Sequence, residues 1–174
     1  MKDVTKNAKF IEITDGGGIL KLRSLALEIY SELYGDFGGV EGVEALIEEK
    51  FSVEKFLTAI GEKRARCFLI FYKKRLAGYT VLKFGDGRAL LSKLYFRKEF
   101  RGLGLGRVAM ERLKRLAAAA NSDDLWLVVL NTNSGAVRFY EREGFVPTDR
   151  VSPLVYEDHP PENMSSLIPM SLKL

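Results

Sequence analysis

The chain has 174 residues, of which 47% are hydrophobic and 29% charged, as in an ordinary soluble protein with one domain and a sizeable core. Its single cysteine, Cys67, lies in an apolar run typical of a buried inert thiol, and its single histidine is His159, so the sequence argues against a disulfide, a zinc site and a histidine-based triad. Without a membrane-length apolar run or a secretion signal, we expect a cytoplasmic protein that uses no metal.

The first third of the chain predicts one strand followed by three helices. Alternating residues at 9–14 predict the strand. Apolar residues at helical spacing then predict a first helix that ends at Gly35 and a second helix from about residue 40 to 47. Ser52 is placed to cap the third helix, which continues to about residue 60.

The remainder alternates between strands and helices. Strands are predicted at residues 66–72, 77–84 and 89–96, and a near-continuous apolar run at 124–130 predicts a strand covered on both faces. A short helix at 134–142 should end at a glycine cap, Gly144. The last strands are predicted at 145–155 and 168–173. The order β-α-α-α-β-β-β-α-β-α-β-β indicates an α/β fold with a mixed sheet.

A loop rich in glycine and arginine joins the strand at 89–96 to an amphipathic helix that runs to about residue 120. Glycine residues allow backbone N–H groups to converge on a ligand, and a helix N-terminus offers unpaired N–H groups and positive charge. Arginine suits phosphate because its guanidinium donates parallel hydrogen bonds. The loop therefore predicts a phosphate site, formed by Arg101, Gly102, Leu103, Gly104, Leu105, Gly106 and Arg107.

Other interpretations of this loop remain open. It lacks the G-x-x-x-x-G-K-[ST] pattern of a P-loop, but Gly104, Gly106 and Ala109 satisfy G-x-G-x-x-A of dinucleotide-binding folds. Residues 97–101 separate the strand from the first glycine, which argues against that fold, and a turn without a ligand is a further alternative. The surrounding basic residues suit coenzyme steering, a nucleic-acid patch or a solvated helix face, although no aromatic residues for base stacking are evident.

Two motifs together resemble the GNAT (Gcn5-related) N-acetyltransferase family. Residues 101–106 match R/Q-x-x-G-x-G/A, the loop that cradles the pyrophosphate of acetyl-coenzyme A in that family, and residues 133–145 resemble its second motif, N-x-x-A-x-x-x-Y followed by G-F. The resemblance covers roughly residues 9–173 and is strongest at 90–145. It implies a mostly antiparallel central sheet flanked by helices, with acetyl-coenzyme A as co-substrate.

The resemblance also implies roles for individual residues. Tyr140 takes the place of the general acid that protonates the leaving thiolate. Asn133 and Arg142 would contact the coenzyme, and the main chain of Leu94, Tyr95 and Phe96 would bind its pantetheine arm and thioester carbonyl. Many protein-terminus acetyltransferases of the family carry a glutamate base where this chain has Val128. Glu28, Glu32 or an ordered water are the alternatives for that base.

The substrate is inferred from the family's substrate-facing segments. These hold aromatic and acidic residues that would suit a cationic amine, namely Tyr30, Tyr34, Asp36, Glu157, Asp158 and Glu162. We expect an amine N-acetyltransferase, acting on a small polyamine or alternatively on a peptide N-terminus, without a nucleic-acid or membrane partner. A non-catalytic coenzyme A-binding module and a nucleic-acid-binding protein are the rival classes, and the edge formed by the last strands could support a homodimer.

Overall fold

A computed structural model of the protein describes residues 2–149, 153–158 and 166–174, with residues 2, 34–38, 40 and 156–158 described by their backbone alone. The helices are α1 (Lys2–Asn7), α2 (Gly16–Lys50), α3 (Val53–Gly61), α4 (Leu105–Ala119), α5 (Ser134–Arg142) and α6 (Pro153–Asp158). The strands are β1 (Ala8–Glu12), β2 (Ala65–Tyr72), β3 (Arg75–Gly85), β4 (Arg88–Phe96), β5 (Asp124–Leu130), β6 (Val146–Pro147) and β7 (Leu167–Lys173).

The strands form one mixed sheet in the order β1-β2-β3-β4-β5-β7-β6. The pairs β1–β2, β5–β7 and β6–β7 are antiparallel, whereas β4 and β5 run parallel. The predicted α/β fold with a mostly antiparallel sheet flanked by helices is therefore confirmed. None of the helices in the described ranges is both long enough and apolar enough to cross a membrane.

The chain divides into two compact units, and the first comprises residues 2–81 and 93–108. Its core is formed by the apolar face of α2, by α3 and by the inner faces of β2 and β3, with Cys67 fully buried as predicted. Ser52 caps α3 by accepting a hydrogen bond from the Lys55 amide, also as predicted. The short helix α1 was not predicted.

The predicted end of the first helix at Gly35 is wrong. Helical structure continues through α2 until Gly39, whose φ of 64° and ψ of −175° break the helix before it resumes and ends at Lys50. This backbone conformation is accessible essentially only to glycine, so the break falls at the residue that tolerates it. Asp15 fixes the other end of α2, because its carboxylate accepts a 2.7 Å hydrogen bond from the Gly18 amide.

The second unit comprises residues 82–92, 109–149, 153–158 and 166–174. The prediction of a strand at 145–155 is wrong, because β6 covers only Val146–Pro147 and Pro153–Asp158 is helical. Helical geometry lets Leu154 and Val155 pack together on Trp126, and a proline favours the first position of a helix. Glu157 and Asp158, predicted in a loop, therefore belong to α6, and His159 and Glu162 lie outside the described residues.

Candidate active site

The loop between β4 and α4 has the structure expected of a phosphate-binding turn. After a short 3-10 turn at Lys98–Phe100, the chain passes through Gly102 and Gly104, whose φ angles are 75° and 84°. Residues other than glycine rarely adopt this left-handed backbone conformation. Cβ atoms added at both positions would face open space, so the outer side of the loop is clear. The two glycines serve to allow the backbone conformation of the turn.

Buried residues on both sides hold this loop in place. Phe100 and Leu105 pack in one cluster with Ala77 of β3, and Phe100 is only 4% exposed. Helix α4 begins at Leu105, and the amide of Val108 donates the bond that closes its first turn, to the Gly104 carbonyl. The amides of a first helical turn lack partners within the helix, so the loop leads directly into a helix N-terminus of the kind that can bind an anion.

The arginine that begins the loop is engaged by helix α2. The Arg101 guanidinium donates to both carboxylate oxygens of Glu32, at 2.7 and 3.1 Å, and its Nε donates to the Phe96 carbonyl at 2.9 Å. Arg97 makes a parallel pair, donating to Glu28 at 2.7 Å and to the Leu76 carbonyl at 2.8 Å. Both carboxylates that we considered as bases are thus held by guanidinium groups.

The three residues expected to bind the pantetheine arm lie at the end of β4. The parallel register of β4 with β5 covers Arg88–Leu90, so Leu94, Tyr95 and Phe96 follow the paired segment. The amide that comes next, of Arg97, donates to the Ala77 carbonyl of β3 at 2.9 Å. Main-chain binding by these three residues stays a prediction.

Tyr30 lies in the core of the first unit and is only 7% exposed. Its ring makes edge contacts with Tyr95, at 5.2 Å between centroids, and with Phe51, at 5.8 Å. The ring therefore packs beneath the end of β4, where it supports the strand. The other substrate candidates, Tyr34 and Asp36 in α2 and Glu157 and Asp158 in α6, have no described side chains.

Tyr140 lies near the end of helix α5, within the second unit. Its ring contacts Phe139 and Phe145 at centroid distances of 5.2 and 5.8 Å. Part of the side chain stays accessible, but the protein surrounds the phenol closely enough that burial raises the pKa of Tyr140 to about 12. The hydroxyl consequently keeps its proton throughout the neutral range and can serve as a donor.

The second motif also determines where α5 begins and ends. The Asn133 side chain accepts a 3.0 Å hydrogen bond from the Ala136 amide, which makes it the N-cap of the helix. At the other end, Gly144 has a φ of 95° and the Phe145 amide donates to the Tyr140 carbonyl, as in a Schellman motif. The predicted glycine cap is confirmed, whereas the capping role of Asn133 was not foreseen.

Val128 lies in an apolar cluster with Leu90, Trp126, Leu154 and Val155. A valine cannot take a proton, so the family's glutamate base is missing at this position, as the sequence indicated. Arg142 is exposed in the last turn of α5. Among the residues that the structure describes, no group of three histidine, cysteine or acidic side chains could hold a metal ion.

Sequence reasoning missed the partners of several basic side chains. Lys114 of α4, one of the basic residues that follow the loop, donates to the carbonyl of Glu143 at 2.6 Å and to its carboxylate at 3.2 Å. It therefore joins α4 to the end of α5 within the second unit. Neither this pair nor the arginine pairs with α2 has a signal in the sequence, because 29 to 69 residues separate the partners.

Comparisons with known proteins agree with these motifs. Residues 26–145 match the model of the acetyltransferase (GNAT) family. An uncharacterized N-acetyltransferase of Mycobacterium bovis is 29% identical over 106 residues, which are 60% of this chain and 68% of the relative. The spermidine N(1)-acetyltransferase of Thermoplasma acidophilum is 26% identical over 74% of this chain and 82% of its own length. For an N-alpha-acetyltransferase of Arabidopsis thaliana the identity is 29%, over 49% of this chain and 47% of the relative.

The fold agrees as well. The crystal structure of the PaiA N-acetyltransferase of Thermoplasma acidophilum in complex with coenzyme A has a TM-score of 0.75 and 21% identity, covering 95% of this chain and 99% of the other. The family model spans more than half of the chain and includes both the glycine-rich loop and the helix that carries Tyr140. The chain belongs to the acetyltransferase (GNAT) family and is an acetyl-coenzyme A-dependent N-acetyltransferase.

Proposed function

We propose that this enzyme transfers the acetyl group to a primary amine of a small polyamine-like cation. The observation that carries the choice of substrate is the similarity to a spermidine N(1)-acetyltransferase over 74% of the chain. The similarity to an N-alpha-acetyltransferase, over 49% of the chain, makes a peptide N-terminus the second candidate. The valine at position 128 favours the polyamine, since many protein-terminus enzymes of the family have a glutamate there.

The coenzyme is assigned to the loop between β4 and α4. Its pyrophosphate would accept hydrogen bonds from the main chain of residues 102–106, where the left-handed glycines lead into the N-terminus of α4. Arg107, exposed in the first turn of α4, would add positive charge. Asn133, Arg142 and the main chain of 94–96 keep the coenzyme-binding roles that the family resemblance implies.

Tyr140 is proposed as the donor to the departing thiolate. A thiol with a pKa near 8.5 holds its proton less tightly than a phenol whose pKa is about 12. Complete proton transfer to the thiolate is therefore uphill, and the hydroxyl stabilises the developing charge mainly by donating a hydrogen bond. The Tyr140 hydroxyl therefore remains protonated at every physiological pH and can donate a hydrogen bond.

The amine must lose a proton before it can attack the thioester. An alkylamine with a pKa near 10.4 is protonated at pH 7, and releasing that proton costs roughly 4–5 kcal/mol. Glu28 and Glu32 are occupied by Arg97 and Arg101, and Val128 has no basic group. A water molecule is therefore the proposed route for the proton, which leaves kcat/KM dependent on the fraction of neutral amine.

The test is an acceptor panel with the purified protein, in which release of free coenzyme A is followed with a thiol reagent. Spermidine, spermine, a simple monoamine and a short peptide with a free N-terminus would be compared. We expect kcat/KM for the polyamines to exceed that for the monoamine and the peptide by about tenfold or more, because an additional hydrogen bond to a charged group contributes about 1.5–3 kcal/mol. Preference for the peptide would overturn the polyamine assignment.

The role of Tyr140 has its own test. Tyr140→Phe keeps the ring contacts with Phe139 and Phe145 but removes the donor, so kcat should fall by about 100-fold or more while KM for acetyl-coenzyme A changes little. Tyr72→Phe, which removes a hydroxyl from the end of β2, is the matched control and should leave kcat unchanged. An unaltered kcat in Tyr140→Phe would remove the tyrosine from the mechanism.

A further inference from the structure

We propose that Arg101 is a positioning residue, which fastens the coenzyme loop to helix α2 through Glu32, and that its guanidinium is not a phosphate ligand. The inference rests on the assignment of residues 101–107 as the coenzyme loop. It departs from the expectation drawn from the sequence, in which Arg101 and Arg107 both bind phosphate. Arg97 and Glu28 form a second ion pair that joins the same segment to α2.

The Arg101 guanidinium is held by groups of the first unit. All three of its nitrogens have acceptors within the first unit, two on the Glu32 carboxylate and one on the Phe96 carbonyl. The two bonds to Glu32 form the fork that a planar guanidinium makes with a carboxylate. The bond to Phe96 spans the 3-10 turn at Lys98–Phe100 and joins the end of β4 to the start of the loop.

The same arrangement of a glutamate in α2 and an arginine near the loop occurs twice. Glu28 and Glu32 are four residues apart in α2, so they share one face of the helix, and Arg97 and Arg101 are likewise four residues apart. Arg97 also donates to the Leu76 carbonyl, which joins it to the start of β3. The segment that enters the loop is thus attached to α2 at two successive points, one on each side of the 3-10 turn.

Two carboxylates of α2 face the two arginines, so this part of the loop contributes little net positive charge to an anion. The positive field for a pyrophosphate is left mainly to the N-terminus of α4. The pairs are partly exposed, with side-chain exposures of 26% and 54% for Arg97 and Glu28, and pairs of this kind add little stability individually. Their effect should therefore appear in coenzyme binding more than in overall stability.

A charge exchange distinguishes a positioning role from a ligand role. We expect Arg101→Glu and Glu32→Arg each to weaken coenzyme A binding, measured by calorimetry, by about tenfold or more. The double variant, which restores the pair with its charges exchanged, should recover most of the affinity. If Arg101 were a phosphate ligand, the double variant would bind as weakly as Arg101→Glu, and the inference would be overturned.

A cycle of alanine variants covers the case in which the exchanged protein does not fold. In a positioning role, Arg101→Ala and Glu32→Ala weaken binding to a similar degree, and their combination is no worse than either alone. KM for acetyl-coenzyme A should rise in all three, with kcat retained. Tighter binding by Glu32→Ala would overturn the inference, because loss of a nearby carboxylate assists a phosphate-binding arginine.

The chain offers a matched control in the pair Arg66–Glu12, which also has two forked hydrogen bonds, both of 2.7 Å, but joins β1 to β2. Glu12→Ala should leave coenzyme A binding unchanged. A loss of affinity equal to that of Glu32→Ala would mean that any such pair acts through general stability, and it would overturn the inference. Coenzyme A binding by the unsubstituted protein tests the assignment of the loop separately from the role of Arg101. If it fails to bind coenzyme A, the loop assignment is wrong and the inference falls with it.

Discussion

At the scale of single residues, burial raises the pKa of Tyr140, the residue proposed as the donor to the thiolate. Because its pKa is about 12 in the folded protein and near 10 in an unfolded chain, the folded state binds more protons between these values and stability falls as pH rises from 10 to 12. Between pH 10 and 11 we expect the free energy of unfolding of Tyr140→Phe to fall by about 1 kcal/mol less than that of the unsubstituted protein. Urea unfolding of both proteins at the two pH values measures this, and equal losses would show that the phenol is not shielded.

The pH dependence of catalysis follows from the same residue. In the proposed mechanism a water molecule, and neither Val128 nor the paired glutamates, takes the proton. On this proposal kcat/KM for the amine should rise about tenfold per pH unit from 7 to 9, as the neutral amine becomes more abundant. Ionisation of Tyr140 should not cause a decline below pH 10, because its pKa is about 12. A plateau that begins near pH 7 in the profile for a fast acceptor would instead indicate an ionising base on the protein.

The left-handed glycine at position 104 belongs to the same scale. Gly104→Ala should cost about 1–2 kcal/mol of strain without a steric clash, since the added Cβ faces open space, and it should also weaken coenzyme A binding by displacing the loop. Gly87→Ala is the control, because Gly87 also has a positive φ and an open surrounding but lies in the turn between β3 and β4. We expect both variants to unfold more easily and only Gly104→Ala to bind the coenzyme less well in calorimetry.

At the scale of elements, the break in α2 is the feature that a single change tests most directly. Gly39 has a backbone conformation that residues other than glycine almost never adopt, so Gly39→Ala should lower the free energy of unfolding by about 1–3 kcal/mol. Gly42→Ala, three residues further along the same helix in ordinary helical geometry, should instead stabilise by about 0.5–1 kcal/mol. Denaturant titration compares the two, and a stabilising effect at both positions would mean that α2 can run unbroken.

Elements with strong local signals could be predicted, and those decided by distant contacts could not. The bounds of β5 and the end of α5 follow from a continuous apolar run and a glycine C-cap, both of which act within a few residues. Helix α6 was misread because Leu154 and Val155 suit a strand as well as a helix, and their packing on Trp126 decides between the two.

At the scale of the whole molecule, the charge around the coenzyme loop is lower than the local sequence suggests. The segment 97–115 contains seven basic and two acidic residues, and the net charge of the chain is +4. Acidic residues from other parts of the chain neutralise part of this excess within each unit, namely Glu28, Glu32 and Glu143. Motif spacing therefore predicts the loop, but the ion pairs that Arg97 and Arg101 make with α2 depend on the tertiary fold and have no signal in the sequence.

Coenzyme binding should be visible as a stabilisation of the folded protein. A ligand at a free concentration of about 100 times its Kd adds about 2.7 kcal/mol to the free energy of unfolding, which for a chain of this length corresponds to a rise in Tm of roughly 5–10 °C. We expect acetyl-coenzyme A to produce such a rise in a thermal-shift titration and NAD at the same concentration to produce none, because the loop lacks the strand-to-glycine junction of dinucleotide folds. The rise should be much smaller in Gly104→Ala and undiminished in Gly87→Ala. Equal shifts with both ligands would assign the loop to phosphate groups in general, since the shared pyrophosphate would then explain the binding without any contact to the pantetheine arm.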